Sequence, residues 1–415
     1  MGQMPETLVP YIQRLLRWLA DPRREFASVA IGVVVLLAVQ AARVDRFTES
    51  YPAFSEPGWD HHAYRAMAAG NPIDFHLAPF GWRPLGPALA KALPFDGETS
   101  FFAITFASLT VAGVATYFSL KSALGRQPAL VGMTAFVSLA WAVKFPLQDF
   151  WLPDALAFAA VALCVLCIQR RWDWGFAACL LAGSAGKEAV LFVALLHYSL
   201  QARSLLDWPL AARSAALTAP AALLVLAIHV AIEARNGDLD YAATLSPTLQ
   251  TFRTFLPAYD YVALFRDIGI DRLQDHRRDT LLAYTSGAWG VPLLVLGAIG
   301  VAAKPLLALR LAPLLVLAYV QLLFAMNIER LLVIAFPAAI WLVAEGVRTL
   351  ARGLGIPPIA LIPIPAGLFL LRLRDPAVIA TGFEIETFVL IGGLMFAVFV
   401  SGRSGVRRGG AAADG

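Results

Sequence analysis

The chain has 415 residues, of which 59% are hydrophobic and only 15% are charged, and its mean hydropathy is +0.68. Soluble domains carry about 25% charged residues, and disordered chains combine low hydrophobicity with high charge, so the composition excludes both and indicates a polytopic membrane protein. The net charge is only +4, and the basic residues are scattered among loops rather than clustered, so no nucleic-acid partner is predicted.

Apolar runs close to the length needed to cross a bilayer recur along the chain. We predict an all-α protein with about 12 transmembrane helices, in a range of roughly 10–13. The predicted spans are 26–42, 101–120, 129–143, 152–168, 174–186, 188–201, 214–234, 281–303, 306–326, 331–347, 356–371 and 384–402. The short pair 174–186 and 188–201 predicts a hairpin with Lys187-Glu188 at its tip.

Basic residues recur at every second short loop, which by the positive-inside rule places those loops and both termini in the cytoplasm. These residues are Arg14, Arg17, Arg23, Arg24, Lys121, Arg126, Arg170, Arg171, Arg203, Arg213, Lys304, Arg310, Arg348, Arg352, Arg403, Arg407 and Arg408. Two long loops, about 43–100 and 235–280, then lie outside and carry short helices. The predicted location is the inner (plasma) membrane.

The chain is predicted to divide into four parts. Residues 1–25 form a cytoplasmic amphipathic lead-in, because Leu8, Ile12, Leu15, Leu16 and Leu19 recur at helical spacing; an ordinary polar lead-in is the alternative. The first span is predicted to be a retained anchor, with a cleaved signal peptide as the rival interpretation. A transmembrane module covers 26–350, C-terminal transmembrane helices cover 351–404, and 405–415 is a disordered tail.

Ionisable residues at helix mouths are costly near a bilayer, so each is a candidate for function. Asp60 follows Trp59 in the first outer loop and has Tyr64 one helical turn later. It would suit a general base, and the alternative is a helix cap. No metal site is predicted with His61 and His62, since adjacent residues on a helix point in different directions. Asp149, on a nearby outer loop, is predicted to contribute far less than Asp60.

Four further places on the outer side carry charge. Arg83 precedes a short apolar helix, and Asp154 follows Pro153 in the first turn of a span. Lys187-Glu188 occupies the hairpin tip, and Arg330 opens an apolar span, where a guanidinium suits a phosphate. The alternatives are interfacial anchoring for Arg83 and Arg330, helix capping for Asp154, and a snorkelling pair for Lys187-Glu188.

Taken in order, these segments resemble motifs of the GT-C glycosyltransferase superfamily. The resemblance covers about 26–350 and rests on Trp59-Asp60 with Tyr64, Arg83-Pro84-Leu85 with Pro87, Leu152-Pro153-Asp154-Ala155-Leu156-Ala157, Gly183-Ser184-Ala185-Gly186-Lys187-Glu188, and Glu329-Arg330 with Phe336-Pro337. It implies a GT-C-like fold in which Asp60 deprotonates the acceptor and Arg330, with Lys187, binds the donor phosphate. The same resemblance implies that Tyr64, His61, Arg83, Asp154 and Glu188 belong to the substrate site. The chain departs from the pattern in lacking an adjacent Asp-Glu pair and a C-terminal soluble domain.

The implied activity is a hexosyl- or pentosyltransferase that moves a sugar from a polyprenyl-phosphate donor to a glycan, lipid or protein acceptor. No cofactor is certain, and a divalent cation stays open. Two alternatives remain. A lipid-linked oligosaccharide polymerase or ligase would use arginines in a late outer loop, here Arg253, Arg266, Arg272, Arg277 and Arg278. A 12-helix transporter or flippase would be expected to show related halves and midplane charges.

Overall fold

The computed structural model describes residues 24–52, 54–56, 59–204, 206–236, 238–250, 265–266, 278–324, 328–374 and 383–409. Every regular element in these ranges is helical, which confirms the predicted all-α class for that part of the chain. Residues 1–23 of the predicted lead-in, 251–264 and 267–277 of the second long loop, and 410–415 of the predicted tail lie outside the described residues.

The α-helices are numbered here in chain order. They are α1 Glu25–Ala41, α2 Asp60–Ala69, α3 Leu85–Ala92, α4 Gly97–Leu124, α5 Arg126–Val137, α6 Phe145–Gln148, α7 Asp154–Arg170, α8 Asp173–Gly186, α9 Ala194–Gln201, α10 Trp208–Ala231, α11 Leu239–Thr244, α12 Arg278–Trp289, α13 Val291–Ala303, α14 Pro305–Val320, α15 Ile328–Leu332, α16 Phe336–Leu354, α17 Pro363–Arg374 and α18 Phe383–Gly409. A π-helical turn, Ala140–Lys144, precedes α6, and 3-10 turns include Pro72–Asp74, Glu188–Val193, Gln321–Phe324, Val333–Ala335 and Pro358–Leu361.

Four helices in the described ranges are long and apolar enough to cross a membrane, and the number rises to six if each of two bent helix pairs makes one span. The four are Gly97–Leu124, Trp208–Ala231, Pro305–Phe324 and Glu329–Leu354. Other predicted spans coincide with shorter helices, such as the 14 residues of α8. At 1.5 Å per residue such a helix is about 21 Å long, less than a ~30 Å hydrocarbon core. The total of about 12 spans therefore stays a prediction.

The predicted span 281–303 is not straight. The chain bends by 99° between α12 and α13, at Gly290, whose φ of +82° favours glycine. A Cβ at Gly290 would also lie 2.9 Å from the guanidinium of Arg372. A second bend, of 66°, separates α5 from the π turn and α6. Both predicted spans are thus broken helices, a form that membranes tolerate where neighbouring groups satisfy the exposed backbone.

Helices α13 and α16 approach each other closely through two glycines. A Cβ on Gly300 would overlap the carbonyl of Leu342, and a Cβ on Gly346 would overlap the carbonyl of Leu296. Small residues allow helix backbones to come together in membranes, where packing replaces the hydrophobic effect as the source of association. This contact fixes the position of α16. Arg330 lies in α15, shortly before the N-terminus of α16.

The basic loops share one end of the helices. Helices α7 and α8 run antiparallel through a turn at Arg171, so Asp154 and Lys187 lie at the opposite end from that turn. At the basic end, the hydroxyl of Ser122 hydrogen-bonds Gln169 at 2.8 Å, and one cleft brings Gln169 together with the loop after α9 and the first half of α14. The alternation of basic loops therefore corresponds to a real separation in space, and the assignment of this end to the cytoplasm stays a prediction.

The C-terminal helices pack onto the rest of the protein. Arg372 of α17 pairs with Glu386 of α18 at 3.3 Å and donates to the carbonyl of Ser138 at 2.5 Å. The other carboxylate oxygen of Glu386 accepts the backbone N–H of Val291 at 2.7 Å. These bonds attach α17 and α18 to the two helix breaks, one at Ser138 and the other at Gly290. Helix α18 continues to Gly409, several residues into the segment predicted as a disordered tail.

The separation of the two ends generates a topology test. Gly70 and Gln250 are exposed at the end with the long loops, and Ser204 is exposed at the basic end. Cysteines at positions 70 and 250 should react with a membrane-impermeant thiol reagent in intact cells, whereas Ser204→Cys should react only after lysis. Cys164 and Cys167 are buried, and the unaltered chain supplies the background. Labelling of 70 and 250 only after lysis would reverse the predicted orientation.

Candidate functional site

Six separate segments bring charged side chains to one end of the structure. Asp60 begins α2, Arg83 lies two residues before α3, and Asp154 begins α7. Lys187 and Glu188 follow α8 directly, and Arg330 lies in α15. Asp149, in the turn between α6 and α7, joins them. We call these residues, with Tyr64, the charged cluster: Asp60, Tyr64, Arg83, Asp149, Asp154, Lys187, Glu188 and Arg330.

Arg330 is the link between two acids of the charged cluster. Its Nη1 donates to Asp60 Oδ2 at 3.3 Å, and its Nε lies 3.2 Å from Asp154 Oδ2. The second pair is close but poorly aligned: neither Arg330 Nε nor Asp154 Oδ2 has a hydrogen-bond partner among the described residues. The guanidinium also lies over the ring of Phe145, 5.8 Å from its centroid. Arg330 is therefore held by charge and retains unused donor capacity.

Lys187 forms the second charged contact of Asp154. Its Nζ donates to Asp154 Oδ1 at 2.5 Å, and both side chains are almost fully buried. The antiparallel pairing of α7 and α8 places the start of one level with the end of the other. Gly183 allows this close packing, because a Cβ there would overlap that of Ala160. Asp154 thus lies between two cations, which compensates its burial.

Arg83 and Glu188 form a two-pronged pair beside this core. Arg83 Nε and Nη2 donate to the two carboxylate oxygens of Glu188 at 3.0 and 2.5 Å, and Nη1 donates to the Tyr64 hydroxyl at 3.4 Å. Such bidentate contacts are among the strongest charge-assisted hydrogen bonds. Tyr64 is buried and its burial raises the pKa of its hydroxyl above the usual value, so it stays protonated at neutral pH.

Asp149 is the member of the charged cluster that the sequence analysis missed. Its side chain is buried, and Oδ1 has no hydrogen-bond partner among the described residues. Burial, and then the neighbouring Asp60 carboxylate, raise the pKa of Asp149 to about 7. The two acids therefore lie close enough to influence each other's ionisation, so Asp149 is not an independent control for Asp60. That Asp149 contributes less than Asp60 stays a prediction.

His61 lies apart from the charged cluster, although the resemblance implied a role for it at the site. The side chain is buried, its ring stacks on Phe54 at 4.3 Å between centroids, and Nε2 bonds the Phe54 carbonyl at 3.0 Å. Burial lowers the pKa of His61 to about 4, so the ring is neutral at physiological pH. Since adjacent helical residues differ by about 100° in direction, Asp60 and His61 face different surroundings.

Asp60 is the acid of the charged cluster that is both exposed to solvent and not held in a two-pronged pair. Its side chain is 28% exposed and one oxygen contacts Arg330. Asp154 is completely buried, and the 25% exposed Glu188 uses both oxygens on Arg83. Within the described residues, no group of three or more His, Cys, Asp or Glu side chains is placed to hold a metal ion.

Comparison with known proteins adds no relative: no protein-family description matches the chain, and no curated protein is significantly similar to it. The class of protein is therefore defined by the helices and the charged cluster alone. It is an all-helical protein, over the described residues, with several helices able to cross a membrane and a partly accessible acid tied to a buried guanidinium.

The raised pKa of Asp149 predicts a specific pH dependence of stability. The pKa of Asp149 rises from 3.8 to about 7 in the folded protein. Between these two pH values the free energy of unfolding falls as pH rises, because Asp149 ionises less readily in the folded state. Asp149→Asn removes this penalty. Its melting temperature should match that of the wild type near pH 4 and exceed it increasingly up to pH 8, as measured by thermal unfolding in detergent.

Asp96→Asn is the control, because the pKa of Asp96 is shifted in the opposite direction to that of Asp149. The backbone N–H and hydroxyl of Thr99 lower the pKa of this exposed helix cap, so neutralising Asp96 should bring no gain at high pH. A stability difference between wild type and Asp149→Asn that stays constant from pH 4 to 8 would contradict the assignment of a raised pKa.

Proposed function

We propose that the protein is a membrane glycosyltransferase that moves a sugar from a polyprenyl-phosphate donor to an acceptor at the outer face of the membrane. The observation that carries the proposal is the contact of a partly exposed carboxylate, Asp60, with a buried guanidinium, Arg330, 3.3 Å away. One group suits a general base and the other suits the phosphate of a departing lipid. The resemblance of the surrounding motifs to the GT-C superfamily supports the same interpretation.

Charge balance indicates how the donor would enter. Each cation of the charged cluster is already paired with an acid, so a phosphate that takes the full charge of a cation competes with a carboxylate. The Lys187–Asp154 pair is buried, and Arg83–Glu188 is two-pronged. The single, longer and more exposed bond between Arg330 and Asp60 is the one most easily opened. Binding of the donor phosphate to Arg330 would then release Asp60 for catalysis.

The proposed reaction is a direct displacement. Asp60 takes the proton of the acceptor hydroxyl while the acceptor oxygen bonds to the anomeric carbon. The bond from that carbon to the phosphate oxygen breaks, and the polyprenyl phosphate leaves with the electron pair. Arg330 neutralises the charge that develops on the leaving phosphate. Attack opposite the leaving group inverts the anomeric configuration, and the acceptor is a glycan, lipid or protein.

The remaining residues of the charged cluster act as positioning groups in this proposal. Lys187 holds Asp154, whose second oxygen faces Arg330 Nε at 3.2 Å, and this arrangement restrains the guanidinium. Arg83 holds Glu188 and contacts Tyr64, which lies one turn after Asp60 on α2. Substitution of these residues is therefore expected to act through the placement of Arg330 and Asp60.

Replacement of the proposed base is the central test. Asp60→Asn keeps the side-chain shape and removes the proton acceptor, so sugar transfer should fall about 10²–10⁴-fold with little change in melting temperature. The assay follows transfer from polyprenyl-phosphate hexose and pentose donors to endogenous acceptors in membranes. Asp74→Asn, which neutralises an exposed acid in the same outer segment, should retain full transfer.

Two results would count against the proposed base. If Asp60→Asn keeps wild-type transfer while Asp154→Asn or Glu188→Gln loses it with the fold intact, the base must be reassigned to that residue. If all three variants stay fully active, the enzymatic proposal itself fails.

The proposed phosphate ligand has its own test. Arg330→Lys keeps the charge but loses the planar fork that matches a phosphate, and loss of one or two charge-assisted hydrogen bonds corresponds to roughly 10–100-fold. The KM for the donor should rise by that factor while the fold persists. Arg65→Lys is the matched control, because Arg65 lies on the same face of the membrane in an exposed pair with Glu49 at 2.7 Å. An unchanged donor KM in Arg330→Lys would remove this residue from the site.

A transporter or flippase is the second candidate, and one observation favours it. Both bent helix pairs meet the buried Arg372–Glu386 pair, and broken helices with buried charges are typical of transport sites. The polymerase or ligase alternative rests on arginines of 235–280, and three of these, Arg253, Arg272 and Arg277, lie outside the described residues. Transfer that depends on Asp60 would exclude transport as the primary activity.

A further inference from the structure

A second polar site lies at the basic end, opposite the charged cluster. A cleft of about 410 Å³ opens there between the ends of α7 and α9, the loop that follows α9, and helices α14 and α16. Its polar walls are formed by Gln169, Arg171, Gln201, Arg203, Arg310 and Trp341. Three of these six residues are arginines, and no aspartate or glutamate among the described residues lines the cleft.

The uncharged polar groups of this cleft are also hydrogen-bond donors. Nε2 of Gln169, Nε2 of Gln201 and Nε1 of Trp341 have no hydrogen-bond partner among the described residues, and all three atoms are buried. Trp341 is itself 7% exposed. Buried donors without partners are unfavourable by about 1–3 kcal/mol each, and three of them belong to residues that line this one cleft. A ligand that supplies acceptors and negative charge, such as a phosphate, complements the arginines of the cleft, and rotation of the three side chains would bring their donors to it.

Backbone groups fix one arginine of the cleft and set the conformation of a second. Arg310 donates to the carbonyls of Leu200 at 3.4 Å and Ala202 at 3.2 Å, where α9 ends. Arg171 ends α7 with a φ of 54°, in the left-handed region that glycine normally occupies in such a C-cap. A side chain there is unfavourable by about 1–2 kcal/mol, and nothing in the local turn requires an arginine.

The surroundings of the cleft indicate that its ligand comes from the membrane. Trp172, Trp174 and Trp208 are 62%, 81% and 72% exposed, and they flank the two loops that enter the cleft. Exposed tryptophans are typical of the interface between lipid and water. Ile168, Leu200 and Leu307 supply an apolar wall beside the arginines. A headgroup phosphate would meet the donors while its acyl chains continue along apolar helix surface.

We propose that this cleft binds the phosphate of an anionic lipid headgroup. The site is independent of the proposed transferase activity, since it lies at the other end of α7 from Asp154. Basic pockets between membrane helices are suited to such headgroups because charge attraction and hydrogen bonding act together.

Arg171→Gly is the decisive variant, because glycine fits the left-handed backbone and removes the guanidinium. Full-length protein in nonionic detergent is titrated with phosphatidylglycerol or phosphatidylcholine, and binding is followed by thermal unfolding and by native mass spectrometry. Phosphatidylglycerol should bind the wild type in preference to phosphatidylcholine. Its affinity for Arg171→Gly should fall at least about ten-fold, while the melting temperature without lipid should stay equal or rise.

Arg170→Ala is the matched control, since Arg170 is the exposed neighbour of Arg171 and does not line the cleft. It should retain the wild-type affinity for phosphatidylglycerol. Equal loss in Arg170→Ala and Arg171→Gly, or no preference for phosphatidylglycerol in the wild type, would overturn the proposal. Inorganic phosphate is the third ligand: if millimolar phosphate saturates the cleft and lipid adds nothing, the lipid assignment is overturned in favour of a soluble phosphate.

Discussion

The burial of the Arg330 guanidinium is the constraint on which the charged end of this protein depends. A charge with 8% of its side chain exposed is stable only if nearby groups compensate its lost hydration. Asp60 and Asp154 provide that compensation, and Asp154 in turn requires Lys187. One cation thereby joins α2, α7, α8 and α15. Removal of a single member would leave an unpaired charge, so these helices hold one another in register through electrostatics as well as packing.

This interdependence explains which site residues could be predicted from the sequence. Asp60 and Arg83 stand out through their neighbours in the first outer loop, Tyr64 and a short apolar helix. Asp154, Lys187-Glu188 and Arg330 stand out because each lies at the end of an apolar run, where an ionisable group needs a partner. Asp149 has the same location but resembles an ordinary polar turn. Its importance arises from burial beside Asp60, which depends on the folding of segments far apart in sequence. His61 shows the opposite case, since proximity along the chain to Asp60 did not place it at the site.

The fold was predictable in class and less so in detail. Hydropathy identifies apolar helices but does not distinguish a straight span from a broken one. At Gly290 the bend depends on Arg372, which lies 82 positions later and occupies the space that a side chain would need. The buried Arg372–Glu386 pair similarly follows from the packing of α17 and α18 against the helix breaks. The lengths of short helices such as α8 are also hard to predict from hydropathy, because these lengths reflect local packing at the charged cluster.

Helix α7 connects the two polar ends of the molecule and sets their separation. Its 17 residues span about 26 Å at 1.5 Å per residue, close to the thickness of a hydrocarbon core. Asp154 lies at its first residue and Arg171 just beyond its last, and the side chains between them are almost all apolar. A phosphate bound at Arg330 and one bound beside Arg171 would therefore lie near opposite ends of this helix. Only two different lipid molecules could occupy both sites at once. A lipid at the basic end would therefore stabilise the protein without competing with binding at the charged cluster.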